Sequence, residues 1–191
     1  MDVQQNPNPV YPAAVILGLL AATVMLLGLP PLFWHLRNHN AAAGSLVAWI
    51  VINNLMTVIN IIIWHNDDVQ HWYNGVGLCD IEVKIMVARS MALPAATMCI
   101  LKSLANVMDT SRINLAPSKA QRRRAMILDL TACLGLPLLT MLLHYVVQPT
   151  RYAIGGVSGC LATFYESWVT VVLLDVPPLI LAVVNVYLAG K

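Results

Sequence analysis

The sequence predicts an all-α fold: a polytopic membrane helix bundle of five transmembrane helices, with its N-terminus outside. Three observations predict it. Apolar residues form 59% of the 191-residue chain and charged residues only 10%, where a soluble domain carries about a quarter charged residues. The apolar residues gather into five blocks, each near the roughly 20 residues that a helix needs to cross a bilayer. Lysine and arginine concentrate in the first and third connections, which fixes direction by the positive-inside rule. Such a chain is not an ordinary soluble enzyme, a disordered tail or a disulfide-dense secreted mini-protein. A net charge of +2, with aromatic residues set apart from basic ones, argues against a nucleic-acid partner.

Each block is read as helix because an isolated strand cannot satisfy its backbone inside lipid. The first, about residues 12–33, lies in a stretch free of Asp, Glu, Lys and Arg between Asp2 and Arg37. Its apolar core is too long for a signal peptide, and no basic residue precedes it. The second, about 44–64, is also uncharged and places Asn53 and Asn60 seven apart on one face, suited to bonding a neighbouring helix. The third, about 81–107, is apolar but holds Glu82, Lys84, Arg89 and Lys102. The fourth, about 125–147, contains Pro137. The fifth, about 167–188, contains Asp175 just before Pro177-Pro178. Those prolines cannot donate to the carbonyls of Leu173 and Leu174, so the helix bends or loosens there.

Direction follows from the connections. The first carries Arg37, and the third carries Arg112, Lys119, Arg122, Arg123 and Arg124. The second has Asp67, Asp68 and Asp80 but no basic residue, and the fourth has only Arg151. The first and third connections are therefore cytoplasmic, and five spans place the C-terminus inside. Trp34, Trp64, Trp72 and Trp168 fall near span ends, as interfacial anchors do.

Ionisable residues within a span are costly and mark candidate sites. The candidates are Glu82, Lys84 and Arg89 in the outer half of the third span, Asp80 at its outer edge, and Asp175 in the fifth. Glu82 and Arg89 are seven apart on one helix face, and Asp80 precedes Lys84 by four, the better order for a helix pair. These charges either pair along the third helix merely to permit insertion, or line a water-accessible cavity where a ligand enters. Asp175 needs a partner, for which Arg89 lies at suitable depth, or else is protonated. Cys79 and Cys160 lie beside water, placed for oxidation, while Cys99 and Cys133 lie inside spans and stay reduced. No enzyme signature is present. Gly77-Leu78-Cys79-Asp80 lacks the second glycine and the partner motif of an intramembrane aspartyl protease. His35 and His39 read as interfacial rather than metal-binding, and no phosphate loop or nucleophile elbow occurs. No catalysis, metal or cofactor is expected.

An outside N-terminus, short inner loops and cysteines at the outer ends of the third and fifth spans resemble the first five helices of a G-protein-coupled receptor. The likeness sharpens with Pro30-Pro31-Leu32-Phe33-Trp34-His35-Leu36-Arg37-Asn38-His39-Asn40 at the first inner loop, and Trp49, Asn53-Asn54, Asn60 and Trp64 on the second helix. It continues with Cys79-Asp80-Ile81, Lys84, Pro94-Ala95 and Cys99-Ile100 on the third. Leu136-Pro137-Leu138-Leu139, Gln148, Arg151-Tyr152, Gly159-Cys160, Pro177-Pro178 and Tyr187 complete it. In order and spacing over roughly residues 12–188, the chain resembles the class D fungal mating-pheromone receptors that recognise a farnesylated, a-factor-type lipopeptide.

The resemblance implies a Cys79–Cys160 disulfide tying the outer loop over the third helix. It implies a plasma-membrane, multi-pass receptor that binds lipopeptide outside and activates a heterotrimeric G protein inside. Arg37, Arg122, Arg123 and Arg124 are then G-protein-side candidates, or only hold orientation against anionic membrane lipid. The family's fold has seven helices, so the chain reads as truncated after the fifth, without the sixth, the seventh or a tail. Two other readings stay open: a small transporter or channel subunit, and a non-signalling partner in an oligomer with a full-length receptor. Flux into liposomes distinguishes the first from a receptor, and co-purification with an intact receptor identifies the second.

Overall fold

The structure, a computed structural model, describes residues 12–65, 72–108 and 118–190, so the expectations on Asp67, Asp68 and Arg112 lie outside the described residues. Five long helices dominate: α1 Pro12–Arg37, α2 Ala41–Ile63, α3 Leu78–Met108, α4 Lys119–Val147 and α5 Trp168–Ala189. Each is long and apolar enough to cross a membrane.

The helix ends follow capping chemistry rather than hydropathy. α4 starts at Lys119 instead of residue 125 because Ser118 and Gln121 form a reciprocal cap. The Gln121 amide donates to Ser118 Oγ at 3.2 Å, and the Ser118 amide donates to Gln121 Oε1 at 2.9 Å. Two otherwise unpaired donors are satisfied in the basic, water-facing turn. α1 likewise runs on to Arg37, and His39 at φ +54° reverses the chain. Asn40 then caps α2 by accepting from the Ala43 amide.

The prolines act differently from one helix to the next. α4 widens into a π turn over Thr131–Gly135, just before Pro137, and α5 does so over Val171–Asp175, before Pro177 and Pro178. A proline ring clashes with the carbonyl four residues back and cannot bond it. A wide turn absorbs the misfit, and such turns concentrate at functional sites. α3 stays α-helical through Pro94. There the Pro94 carbonyl accepts from Asn185 Nδ2 of α5 at 3.0 Å.

α1 packs along α2, while α3 touches α2, α4 and α5. Gly28 permits the first contact, since a Cβ there would stand 2.8 Å from Val51 Cγ2. On α3, the buried residues Val83, Val87, Ala88, Met91, Ala92, Ala95, Ala96 and Cys99 recur every three or four positions. That stripe is one broad helix face, and its alanines let neighbouring backbones approach closely. The most apolar stretch of α3 is 44% buried and that of α5 only 6%, so α3 is the core and α5 stands at the rim. Between α4 and α5, β1 (Ala153–Ile154) pairs antiparallel with β2 (Cys160–Leu161).

Candidate functional site

The short hairpin is pinned to the start of α3. Cys160 on β2 is bonded to Cys79 in the first turn of α3, with their Cα atoms 5.2 Å apart. Trp64, Val83, Trp72 and Tyr152 pack around the pair. Tyr152 donates its hydroxyl to the Asn74 carbonyl at 2.9 Å, which ties the hairpin to the segment leading into α3. Gly159 has φ +69°, and a Cβ there would overlap the Asn60 side chain. The hairpin tip therefore rests directly on α2, where the Ser158 carbonyl accepts from Asn60 Nδ2 at 3.4 Å.

Below the hairpin, the hydrogen bonds of Glu82, Lys84 and Arg89 run to other helices and not to each other. The expected Glu82–Arg89 and Asp80–Lys84 pairs do not form. Asn60 Nδ2 donates to Glu82 Oε1, and Arg89 Nη1 donates to Asn53 Oδ1 at 3.2 Å. Seven residues of helix rise about 10.5 Å, too far for Glu82 and Arg89 to bond directly. In antiparallel helices, seven steps down one match seven steps up the other. The Asn53/Asn60 spacing on α2 thus meets the Glu82/Arg89 spacing on α3 as two rungs.

Lys84 turns to α4 instead of Asp80. Its Nζ lies 2.9 Å from His144 Nδ1 and 2.8 Å from Gln148 Oε1, and 3.4 Å from the centre of the Tyr145 ring. Two acceptors and an aromatic face outcompete one partly exposed carboxylate. Buried His144 has its Nε2 3.2 Å from the Thr163 carbonyl. A carbonyl only accepts, so Nε2 carries the proton and Nδ1 receives the lysine. Gln148 Nε2 donates onward to the Arg151 carbonyl at 2.7 Å. Sequence reasoning passed over His144; its signal was a histidine one turn before Gln148, level with Lys84 on the next helix.

A cleft of about 540 Å³ opens between α3, the connection after β2 and α5. Met86, Val87, Val171, Leu174 and Pro178 form its apolar walls, with Arg89, Glu166 and Asp175 among the polar lining. Arg89 and Asp175 are both exposed and form no ion pair with each other, so the partner expected for Asp175 shares its cleft without bonding it. Asp175 is also the last residue of the π turn, where the wide backbone re-aims it. Of the five candidates, the structure brings only Arg89 and Asp175 to this cleft. Asp80, Glu82 and Lys84 stand outside its lining. Glu166, in the connection rather than a span, escaped the search for charged residues inside spans.

The basic residues lie at the other end. Arg37 is exposed at the end of α1, and Arg123 and Arg124 are exposed in the first turns of α4; the Arg122 side chain lies outside the described part. Arg124 joins Lys102 and Asp129 around a groove of about 300 Å³ between α3 and α4. Cys99 and Cys133 are free, buried and packed in one cluster. Among the described residues, no group of three His, Cys, Asp or Glu could hold a metal ion.

Five apolar helices, short connections and a hairpin bonded to the third helix define a polytopic helical membrane protein. The chain belongs to the pheromone A receptor (STE3) family, which matches residues 16–191. It is 33% identical over 180 residues to the pheromone B beta 1 receptor of Schizophyllum commune, covering 94% of this chain and 32% of that protein. It is 31% identical over 163 residues to the pheromone a factor receptor of Saccharomyces cerevisiae, covering 85% of this chain and 34% of that one. With the pheromone M-factor receptor of Schizosaccharomyces pombe it shares 26% identity over 182 residues, 94% of this chain and 48% of the relative. The chain thus spans between a third and a half of the length of these curated relatives. No solved structure matches it.

Proposed function

We propose that the chain is the ligand-receiving part of a G-protein-coupled pheromone receptor in the plasma membrane. The disulfide end faces outside, in keeping with the Lys/Arg distribution. The ligand is a farnesylated, a-factor-type peptide, and a heterotrimeric G protein is met at the basic end. The observation that carries the reading is the family match over residues 16–191, joined to an amphipathic cleft beside the hairpin. A lipid-bearing peptide suits that cleft: apolar walls take hydrocarbon, while Arg89, Glu166 and Asp175 take peptide groups. The protein is a receptor and not an enzyme, and it assembles with other receptor chains where oligomers form.

The test continues this chain to receptor length with the matching remainder of a curated relative and reads a pheromone-induced reporter. Arg89→Gln and Asp175→Asn should each raise the half-maximal pheromone concentration about tenfold or more, as losing one charge-assisted contact of about 1.5–3 kcal/mol does. Unchanged dose curves at equal surface level would remove the cleft from the account. Replacing Arg122, Arg123 and Arg124 together by glutamine tests the inner surface. Lost signalling with retained pheromone binding supports G-protein contact. Unchanged signalling leaves the arginines to anionic lipid, worth about 1 kcal/mol each near the surface.

A further inference from the structure

Glu82 and Asn60 share one hydrogen bond, from Asn60 Nδ2 to Glu82 Oε1. Each also keeps one acceptor with no partner, Glu82 Oε2 and Asn60 Oδ1. Both side chains are more than nine-tenths buried, at 6% and 4% exposure. A cavity of about 90 Å³ adjoins them, but each orphan oxygen exposes less than 1 Å² to water. Atoms so covered are not open to that cavity in this packing, and a buried acceptor left unmatched is costly. Each of the two side chains thus carries one buried acceptor without a donor, and a single proton shared between them satisfies both.

We propose that Glu82 is protonated in this fold, and that its carboxylic acid and the Asn60 amide close a two-bond ring. Nδ2–H donates to Oε1, and Oε2–H donates to Oδ1. One proton satisfies both orphans, and the soft terminal torsions of Glu and Asn allow the alignment. The second Nδ2 hydrogen goes to the Ser158 carbonyl at 3.4 Å, so the ring clamps α2 and α3 beneath the disulfide-tied hairpin. Loss of the proton sets two bare oxygens against each other and loosens that clamp. The site is a proton-operated latch.

The surroundings favour the neutral acid. Arg89, on α3, shares the cavity lining but gives an N–H to Asn53, two helical turns away. Lys84, on α3, is held by His144 and Gln148 of α4, and Asp80 is itself an acid. α2 and the hairpin place no charged side chain on the cavity. Among the described residues no cation bonds Glu82.

The experiment uses the full 191-residue chain in bilayer discs of neutral lipid, by infrared spectroscopy and thermal unfolding at neutral pH, with and without sodium. The wild type should show a carboxylic-acid carbonyl band that Glu82→Gln removes. Glu82→Gln, whose amide copies the protonated acid, should unfold at the wild-type temperature. Glu82→Leu should unfold at least about 2–4 °C lower. A wild-type spectrum with no carboxylic-acid carbonyl band would overturn the proposal without needing any variant to be stable, and so would a band that Glu82→Gln leaves in place. So would sodium-dependent stability lost in Glu82→Gln, which would assign the site to a cation.

Discussion

The two faces of α3 treat the same kinds of residue in opposite ways. Towards α2 and α4, Glu82 and Lys84 are bonded by Asn60, His144 and Gln148, and the hairpin tip rests on Asn60. Towards α5, Arg89 and Asp175 stand exposed on the walls of a 540 Å³ cleft, and Asp175 bonds nothing among the described residues. An ionisable group inside a membrane is expensive wherever it sits. On the first face the cost is offset within the fold, which leaves little for a ligand to gain. On the second face only Arg89 has a partner, Asn53 of α2, and the remaining bonding capacity of Arg89 and Asp175 is what a ligand can use. Partner completeness, more than depth, separates structural charges from available ones.

Three variants test this contrast, in falling order of expected effect on stability. Removing the disulfide with Cys79→Ser and Cys160→Ser should destabilise the chain by about 2–5 kcal/mol. The bonded network should loosen with it, since the hairpin that supplies Ser158 and the connection that supplies Thr163 lose their anchor. Thermal unfolding of the double variant against the wild type measures this, and an unchanged midpoint would mean that packing around Trp64 holds the hairpin alone. His144→Leu should cost about 1–3 kcal/mol, because Lys84 and the Thr163 carbonyl both lose a buried partner. Asn53→Ala should cost only about 0.6 kcal/mol, a typical polar contact between membrane helices. It should also free Arg89, and a change in pheromone affinity larger than that small stability cost would show the coupling.

Much of this contrast was already written in the sequence, but not the part that decides it. Block length exposed five helices, and Pro137 and Pro177-Pro178 marked the places where α4 and α5 widen. The heptad spacings Asn53/Asn60 and Glu82/Arg89 were each visible. Joining them required knowing that α2 and α3 are antiparallel neighbours in one register, which no single-helix pattern carries. Reading the charges as pairs along one helix failed for the same reason, because bonding partners across helices outrank neighbours a turn away. The Ser118–Gln121 cap was legible as a short motif but hidden by hydropathy, which senses where lipid ends and not where a helix does. Glu166 escaped because a cleft also takes residues from connections, and a search confined to spans cannot see them.

Lys84 serves the fold, and the ligand contact proposed above falls to Asp175. The most direct test places Lys84→Met and Asp175→Asn separately in the receptor-length chain and measures two quantities on each at matched surface level. These are the thermal midpoint and the half-maximal pheromone concentration. A crossed result is expected. Lys84→Met should lower the midpoint with the dose curve unmoved, and Asp175→Asn should shift the dose curve about tenfold with stability within about 0.5 kcal/mol of the wild type. If Asp175→Asn instead destabilises the chain and leaves the dose curve in place, or Lys84→Met shifts the dose curve at an unchanged midpoint, the division between the two faces of α3 is wrong.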